Sequence, residues 1–135
     1  MYHSILVPIS FDPERDVTGP LKVARLLSAP SAQVTLLHVI EQVPAYAISY
    51  IPVDFMQGTR DALQAELDRL AQTLPNAHGA LIEGHSGRTI LDWAEQNKPD
   101  LIILASHRPS MQDLLWGSTS GHVVRHASCA VHVLR

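Results

Sequence analysis

Five short apolar runs, at Ser4–Ile9, Gln33–Ile40, Ala80–Ile82, Leu101–Ala105 and Ala130–Leu134, divide a chain whose other apolar residues fall at helical spacing. Several of these runs are apolar at every position rather than at every second one. A strand with one wet face alternates apolar and polar side chains, so an unbroken run describes a strand covered on both faces, as in a parallel sheet between helices. The covers are present. Val17, Leu21, Ala24 and Leu27 share one helical face, as do Leu63, Leu67, Leu70 and Leu74, then Ile90, Trp93 and Ala94, then Val123, Val124 and Ala127. Pro30 and Pro75 follow the first two of these segments, Ser86 is placed to cap the third, and Ser118 after Gly117 opens the fourth. The order β-α-β-α-β-α-β-α-β predicts a doubly wound α/β fold: a five-stranded, mainly parallel sheet with helices on both faces and Rossmann-like right-handed crossovers. Gln42–Gln57, which carries Pro44, Tyr46, Tyr50, Pro52 and Phe55, follows neither period and reads either as a lid over the ligand crevice or as a long connection.

Composition narrows the function. The 135 residues suffice for one core, and with no repeat or linker they predict one domain spanning 1–135. Hydrophobic types at 46% and charged types at 17% fit neither a disordered chain nor a polytopic membrane protein. Ten Lys and Arg against thirteen Asp and Glu give a net charge of −3, and Lys22 and Lys98 are the only lysines, so no basic stripe is available for a nucleic-acid backbone. Cys129 stands alone, which excludes an intrachain disulfide and fits a reducing compartment. The first residues, Met1-Tyr-His-Ser, carry no basic n-region, and Leu101–Ala105, the longest apolar stretch, is far short of the roughly 20 residues that cross a bilayer. The expectation is a cytoplasmic protein without a membrane partner.

Open α/β sheets hold ligands beyond the carboxyl ends of their strands, which directs attention to the loop after Ala105. It runs Ala105-Ser-His-Arg-Pro-Ser-Met-Gln-Asp-Leu-Leu-Trp-Gly-Ser-Thr119. Gly117-Ser118-Thr119 opens a helix whose free N–H groups and dipole favour an anion, with no Cβ at Gly117 and two hydroxyls beside it. Arg108 could offer a charged fork to phosphate oxygens, and the small Ala105 leaves room beside a ribose. The plainer reading of Gly117-Ser118 is a helix cap. The P-loop pattern G-x-x-x-x-G-K-[ST] lacks its lysine here, and G-x-G-x-x-G does not occur.

Val7-Pro8, Leu36-Leu-His-Val-Ile40, Leu101–Ala105, Gly117-Ser118 and the closing Val123–Arg135 together resemble a universal stress protein, over the whole chain. Ala105-Ser-His-Arg-Pro, Leu114-Leu-Trp-Gly-Ser and Val124-Arg-His-Ala look most like the bacterial F/G-type branch. The resemblance implies an adenine nucleotide alpha hydrolase-like fold and a site for ATP, with ADP or AMP as alternatives and Mg2+ arriving with ATP. It implies that Pro8 flanks the ribose with Ser10 nearby, that Val39 and Ile40 meet the adenine, and that Leu104 and Ala105 offer backbone contacts. Gly117, Ser118 and Thr119 would hold the phosphates, with Arg108 at the same end and His107 open between ligand contact and none. The family's loop pattern G-x-x-G-x9-G-[ST] is altered: Ala105 and Arg108 replace two glycines, and eight residues separate Arg108 from Gly117. Ser10 also stands where the family carries an acidic residue, and Asp12 is its offset substitute. In the family the last strand makes the dimer, so Ala130–Leu134 is the implied homodimer edge; alternatively His132 and Arg135 simply blunt it.

Other features have plainer readings. His122 and His126 lie four apart on the last helix without the glutamate of H-E-x-x-H, which reads as surface or capping histidines rather than a zinc site. His38 reads as a hydrogen-bonded core histidine, and Cys129 as a small buried hydrophobe rather than a redox sensor. Trp116 is either a core anchor or a wall of the phosphate loop. Gly117-Ser-Thr-Ser-Gly121 fails the G-x-S-x-G pattern, so no catalytic residue is assigned. The function implied is a cytoplasmic homodimer that binds ATP and acts in the stress response, regulating or protecting through a protein partner not identifiable from sequence. The alternatives are a weak ATPase or nucleotide-dependent transferase using the same crevice, or a dimer that has lost its nucleotide.

Overall fold

The computed structural model describes residues 1–12, 16–105 and 118–135, with the Ser118 side chain outside the description. Its elements are β1 (Tyr2–Pro8), α1 (Thr18–Leu27), β2 (Ser28–Ile40), α2 (Ala45–Ile48), α3 (Val53–Ala71), β3 (Ala77–Glu83), α4 (Ser86–Asn97), β4 (Leu101–Ala105), α5 (Ser118–His126) and β5 (Ala130–Leu134). The strands form one sheet in the order β3-β2-β1-β4-β5, and every neighbouring pair is parallel. The sequence therefore predicts the architecture correctly, and "mainly parallel" becomes wholly parallel.

Successive residues of each strand point to opposite faces, and both faces are buried. Ile5, Val7, Val34, Leu36, Leu101 and Ile103 pack with Leu21 and Ala24 of α1 and Leu67, Leu70 and Ala71 of α3. Leu6, Leu37, Ile102 and Leu104 point the other way, onto Ile90 of α4 and Val123 of α5. This two-sided burial is the physical reason for the unbroken apolar runs. It also sets the ligand geography: the chain moves outward from β1 through β2 to β3, then crosses to β4 and β5. The strand order reverses between β1 and β4, where the loops leaving the strands diverge and open a crevice.

Four elements start earlier than their sequence patterns suggest, the first of them β1, which begins at Tyr2 rather than Ser4 and ends at Pro8. β2 begins at Ser28 rather than Gln33, and its register on β1 slips between the Tyr2–Ser28 and Ser4–Gln33 pairs. Pro30, which cannot donate to a ladder, lies within that irregular stretch. β3 begins at Ala77 rather than Ala80. Gln42–Gln57 is not a plain connection: it contains α2 and the first turns of α3, which starts at Val53 directly after Pro52. The helical period is hidden there because Tyr46, Tyr50, Val53 and Phe55 are all exposed. At the entry to α1, the Asp16 carboxylate accepts the N–H groups of Thr18 and Gly19 at 2.9 and 3.0 Å, satisfying two donors of the first turn. No described helix is long and apolar enough to cross a membrane.

Asp100, immediately before β4, ties that strand to β1. Its carboxylate accepts the N–H groups of His3 and Ser4, both at 2.9 Å, while its own N–H donates to the Ser4 carbonyl. Burial pushes the Asp100 carboxyl up, but the N–H donors of His3 and Ser4 outweigh it and hold the group below its ordinary value. A carboxylate depressed on folding stabilises the native state above its unfolded pKa, and that contribution disappears as pH falls through the folded value. Asp100→Asn is therefore expected to lower stability by about 1 kcal/mol at neutral pH. Urea midpoints measured against pH should show the two proteins converging below about pH 4; a gap that stays constant into acid would remove the carboxylate's charge from the account.

Candidate functional site

At the carboxyl edge of the sheet, where the order reverses, lies a cavity of about 350 Å3. Pro8, Ile9 and Ser10 leave β1 along one side, and Leu104 with Ala105 end β4 beside them. The end of β2 supplies Leu37, His38, Val39, Ile40 and Glu41. The remaining wall is helical: Ser86 and Ile90 from the first turns of α4, and Thr119 and Ser120 from the first turn of α5. One end of the wall is thus aliphatic, and two helix N-termini with their hydroxyls occupy another part of it. Free N–H groups and aligned peptide dipoles make such termini favourable for anions.

Two interactions fix this arrangement. The Ser86 and Thr119 hydroxyls are hydrogen-bonded at 2.9 Å, joining the starts of α4 and α5 across 33 residues of chain. Ser86 is the first residue of α4 and makes no capping bond; the N-cap position belongs to His85, which makes no side-chain cap either. The cap expected from sequence is thus corrected: the hydroxyl goes to the neighbouring helix. On the opposite side, His38 Nδ1 donates to the Ile9 carbonyl at 2.7 Å, and the Ile9 N–H donates to the Leu37 carbonyl at 2.7 Å. The exit of β1 is held at both backbone atoms of Ile9. His38 is half-buried and packs its ring against Phe11 at a centroid distance of 4.8 Å, matching the hydrogen-bonded role expected for it.

The cavity gathers Pro8, Ser10, Val39, Ile40, Leu104, Ala105 and Thr119 from among the residues singled out in sequence. Ser118 begins α5, while His107, Arg108, Trp116 and Gly117 lie outside the described residues. Asp12 does not line the cavity; its N–H donates to Ser10 Oγ at 3.3 Å. The carboxylate that does line it is Glu41, which sequence reading missed. Its position directly after the Leu36–Ile40 run was the available signal. None of the described residues 42–57 lines this cavity; Val43, Ile51, Phe55 and Met56 form a separate hollow of about 120 Å3 against Ile40, Glu41 and Glu83, so the lid reading gains no contact here. Cys129 is half-buried rather than buried as expected from sequence, and burial raises its thiol above the usual value.

The family model described as "Universal stress protein family" matches residues 1–135. The chain belongs to the universal stress protein family. Universal stress protein A homolog 2 of Coxiella burnetii is 30% identical over 139 residues, covering 99% of this chain and 95% of its own. Universal stress protein G of Salmonella typhimurium is 24% identical over 143 residues, with both chains fully covered, in line with the F/G-type resemblance. Among solved structures, universal stress protein UspA from Lactobacillus plantarum superposes with a TM-score of 0.72 at 26% identity, over 99% of this chain and 98% of that one. The Archaeoglobus fulgidus universal stress protein in complex with dAMP gives 0.64 at 15% identity, covering 99% and 98%. A family protein from Arabidopsis thaliana with AMP bound gives 0.61 at 15%, covering 98% and 90%. At those two identities the likeness is one of fold. Within the family, this member carries hydroxyl and aliphatic groups at the cavity and one carboxylate, Glu41, among its described lining residues.

Proposed function

We propose that this universal stress protein binds an adenine nucleotide, ATP foremost, in the cavity between β1 and β4. The observation that carries the reading is the joining of the α4 and α5 N-termini by the Ser86–Thr119 hydrogen bond beside an aliphatic wall that includes Val39 and Ile40. A nucleotide needs both kinds of surface, an apolar slot for the base and oriented N–H and O–H donors for the phosphates. The base would lie against Val39 and Ile40, the ribose near Pro8, Ser10 and the Glu41 carboxylate, and the phosphates toward Thr119, Ser118 and Gly117, with Arg108 and His107 at the same end. Family structures holding dAMP and AMP support an adenine nucleotide as the class of ligand. One carboxylate among the described lining residues suits Mg2+ carried in on the nucleotide phosphates better than a dedicated metal cage. The biological unit proposed is a cytoplasmic homodimer formed along the outer edge of β5, where Ala130 and His132 are exposed, acting in the stress response through a protein partner.

Calorimetric titration of the dialysed protein with ATP, ADP, AMP and adenosine tests the reading. One nucleotide per chain is expected, with ATP bound more tightly than adenosine because of the phosphate end. No heat with any nucleotide, from a protein shown to be folded by circular dichroism and free of co-purified nucleotide, would overturn it.

A further inference from the structure

On α5, one turn beyond the residues that line the cavity and not among them, His122 and His126 face one another with ring centroids 4.7 Å apart and planes inclined at 56°. Neither imidazole has a hydrogen-bond partner among the described residues, so neither is explained as a cap. We propose that the pair chelates one divalent transition-metal ion of the zinc, nickel and copper class.

Residues four apart lie one above the other on a helix, which places both side chains on one side of α5. An imidazole nitrogen binds zinc at about 2.0–2.1 Å. Two imidazoles on one ion, with an angle of about 90–110° between them, have their centroids about 4.5–5.2 Å apart. The observed separation falls within that interval, so a shared ion asks for rotation of the rings about their side-chain bonds rather than for movement of the helix. His122 is also restrained from behind: a Cβ on Gly87, in the first turn of α4, would lie 3.0 Å from His122 Cδ2. The glycine lets that ring pack against the α4 backbone, which limits the orientations it must give up on binding. His126 is exposed and open to an ion arriving from solvent.

The donor set selects the ligand class. Neutral imidazole nitrogens prefer zinc, nickel and copper, whereas magnesium and calcium require oxygen ligands. No group of three or more metal-ligating side chains occurs among the described residues, so water completes the coordination and the site is an open, two-histidine one. Affinity should follow the general order for nitrogen donors, with Cu2+ tighter than Ni2+ and Zn2+.

The test uses the whole protein stripped with chelator and titrated with Zn2+ alone, then with Cu2+ followed by electron paramagnetic resonance. Because the chain has eight histidines, the difference between wild type and His126→Ala is decisive. Its exposed position makes that variant safe for the fold, which circular dichroism checks. The expected result is one Zn2+ per chain, affinity reduced at least about tenfold in His126→Ala, and a two-nitrogen Cu2+ spectrum that becomes a one-nitrogen spectrum. Zn2+ should also raise the melting temperature of the wild type and not of the variant. Equal Zn2+ affinity in the two proteins, or no saturable binding to the wild type, would overturn the proposal.

Discussion

Thr119→Asp is expected to weaken ATP and AMP binding at least about 100-fold, which is about 2.7 kcal/mol, while adenosine affinity changes by less than about tenfold. Thr119 stands in the first turn of α5, lines the cavity and is bonded to Ser86 at the start of α4. A carboxylate there would meet the nucleotide phosphates at close range. At about 4 Å and an effective dielectric near 20, two like charges repel by about 4 kcal/mol, so the expected loss needs only part of the Coulomb energy. The same charge is favourable for the fold, because an acidic side chain in the first turn of a helix complements the dipole by about 0.3–1 kcal/mol. The Ser86 hydroxyl can still donate, now to the carboxylate. Affinity and stability should therefore separate: binding of phosphorylated ligands falls while the melting temperature of the free protein holds or rises. Equal weakening of ATP and adenosine would mean that the helix termini do not hold the phosphates.

The legible parts of this molecule are those fixed by local period and by strand order. Leu36-Leu37 and Leu101–Leu104 read as strands buried on both faces, and they are, because α1 and α3 cover one face while α4 and α5 cover the other. With the order of elements known, the crevice had to lie where β1 and β4 end, and Pro8, Leu104 and Ala105 come together there. Contacts between elements were less accessible. Ser86 in its local context is a helix-start residue and nothing more; its hydrogen bond to Thr119 requires α4 and α5 to begin side by side, which no pattern within either helix encodes. Glu41 belongs to the cavity only because β2 runs through Ile40 and delivers the next residue to the rim. The start of α3 was hidden for the opposite reason: Val53 and Phe55 are apolar but exposed, so they break the amphipathic pattern from which helices are read.

That uneven burial along α3 makes Leu67→Ala the largest stability loss expected. The first turns of the helix are exposed at Val53 and Phe55, while Leu67, Leu70 and Ala71 near its end are buried against the sheet. Leu67 is fully buried, and it packs directly on β3: a Cβ on Gly79 would lie 2.7 Å from Leu67 Cβ and 3.3 Å from its carbonyl carbon. Truncating a buried leucine costs about 2–5 kcal/mol, set by how far the surroundings collapse into the space. Here collapse is restricted, since Gly79 already has helix backbone in contact, so a value in the upper half of that range is expected. Against a total of about 5–15 kcal/mol for a domain, that loss should appear as a fall of about 10 °C or more in melting temperature. Gly79→Ala should cost about 1–3 kcal/mol by overpacking the same contact from the other side. The atoms it would strike are the β-carbon and carbonyl carbon of Leu67, and alanine at position 67 keeps both. The double variant should therefore show no rescue, its loss being close to the sum of the single ones. Recovery in the double variant would instead mean that the end of the leucine side chain, rather than the helix backbone, is what forbids a side chain at Gly79.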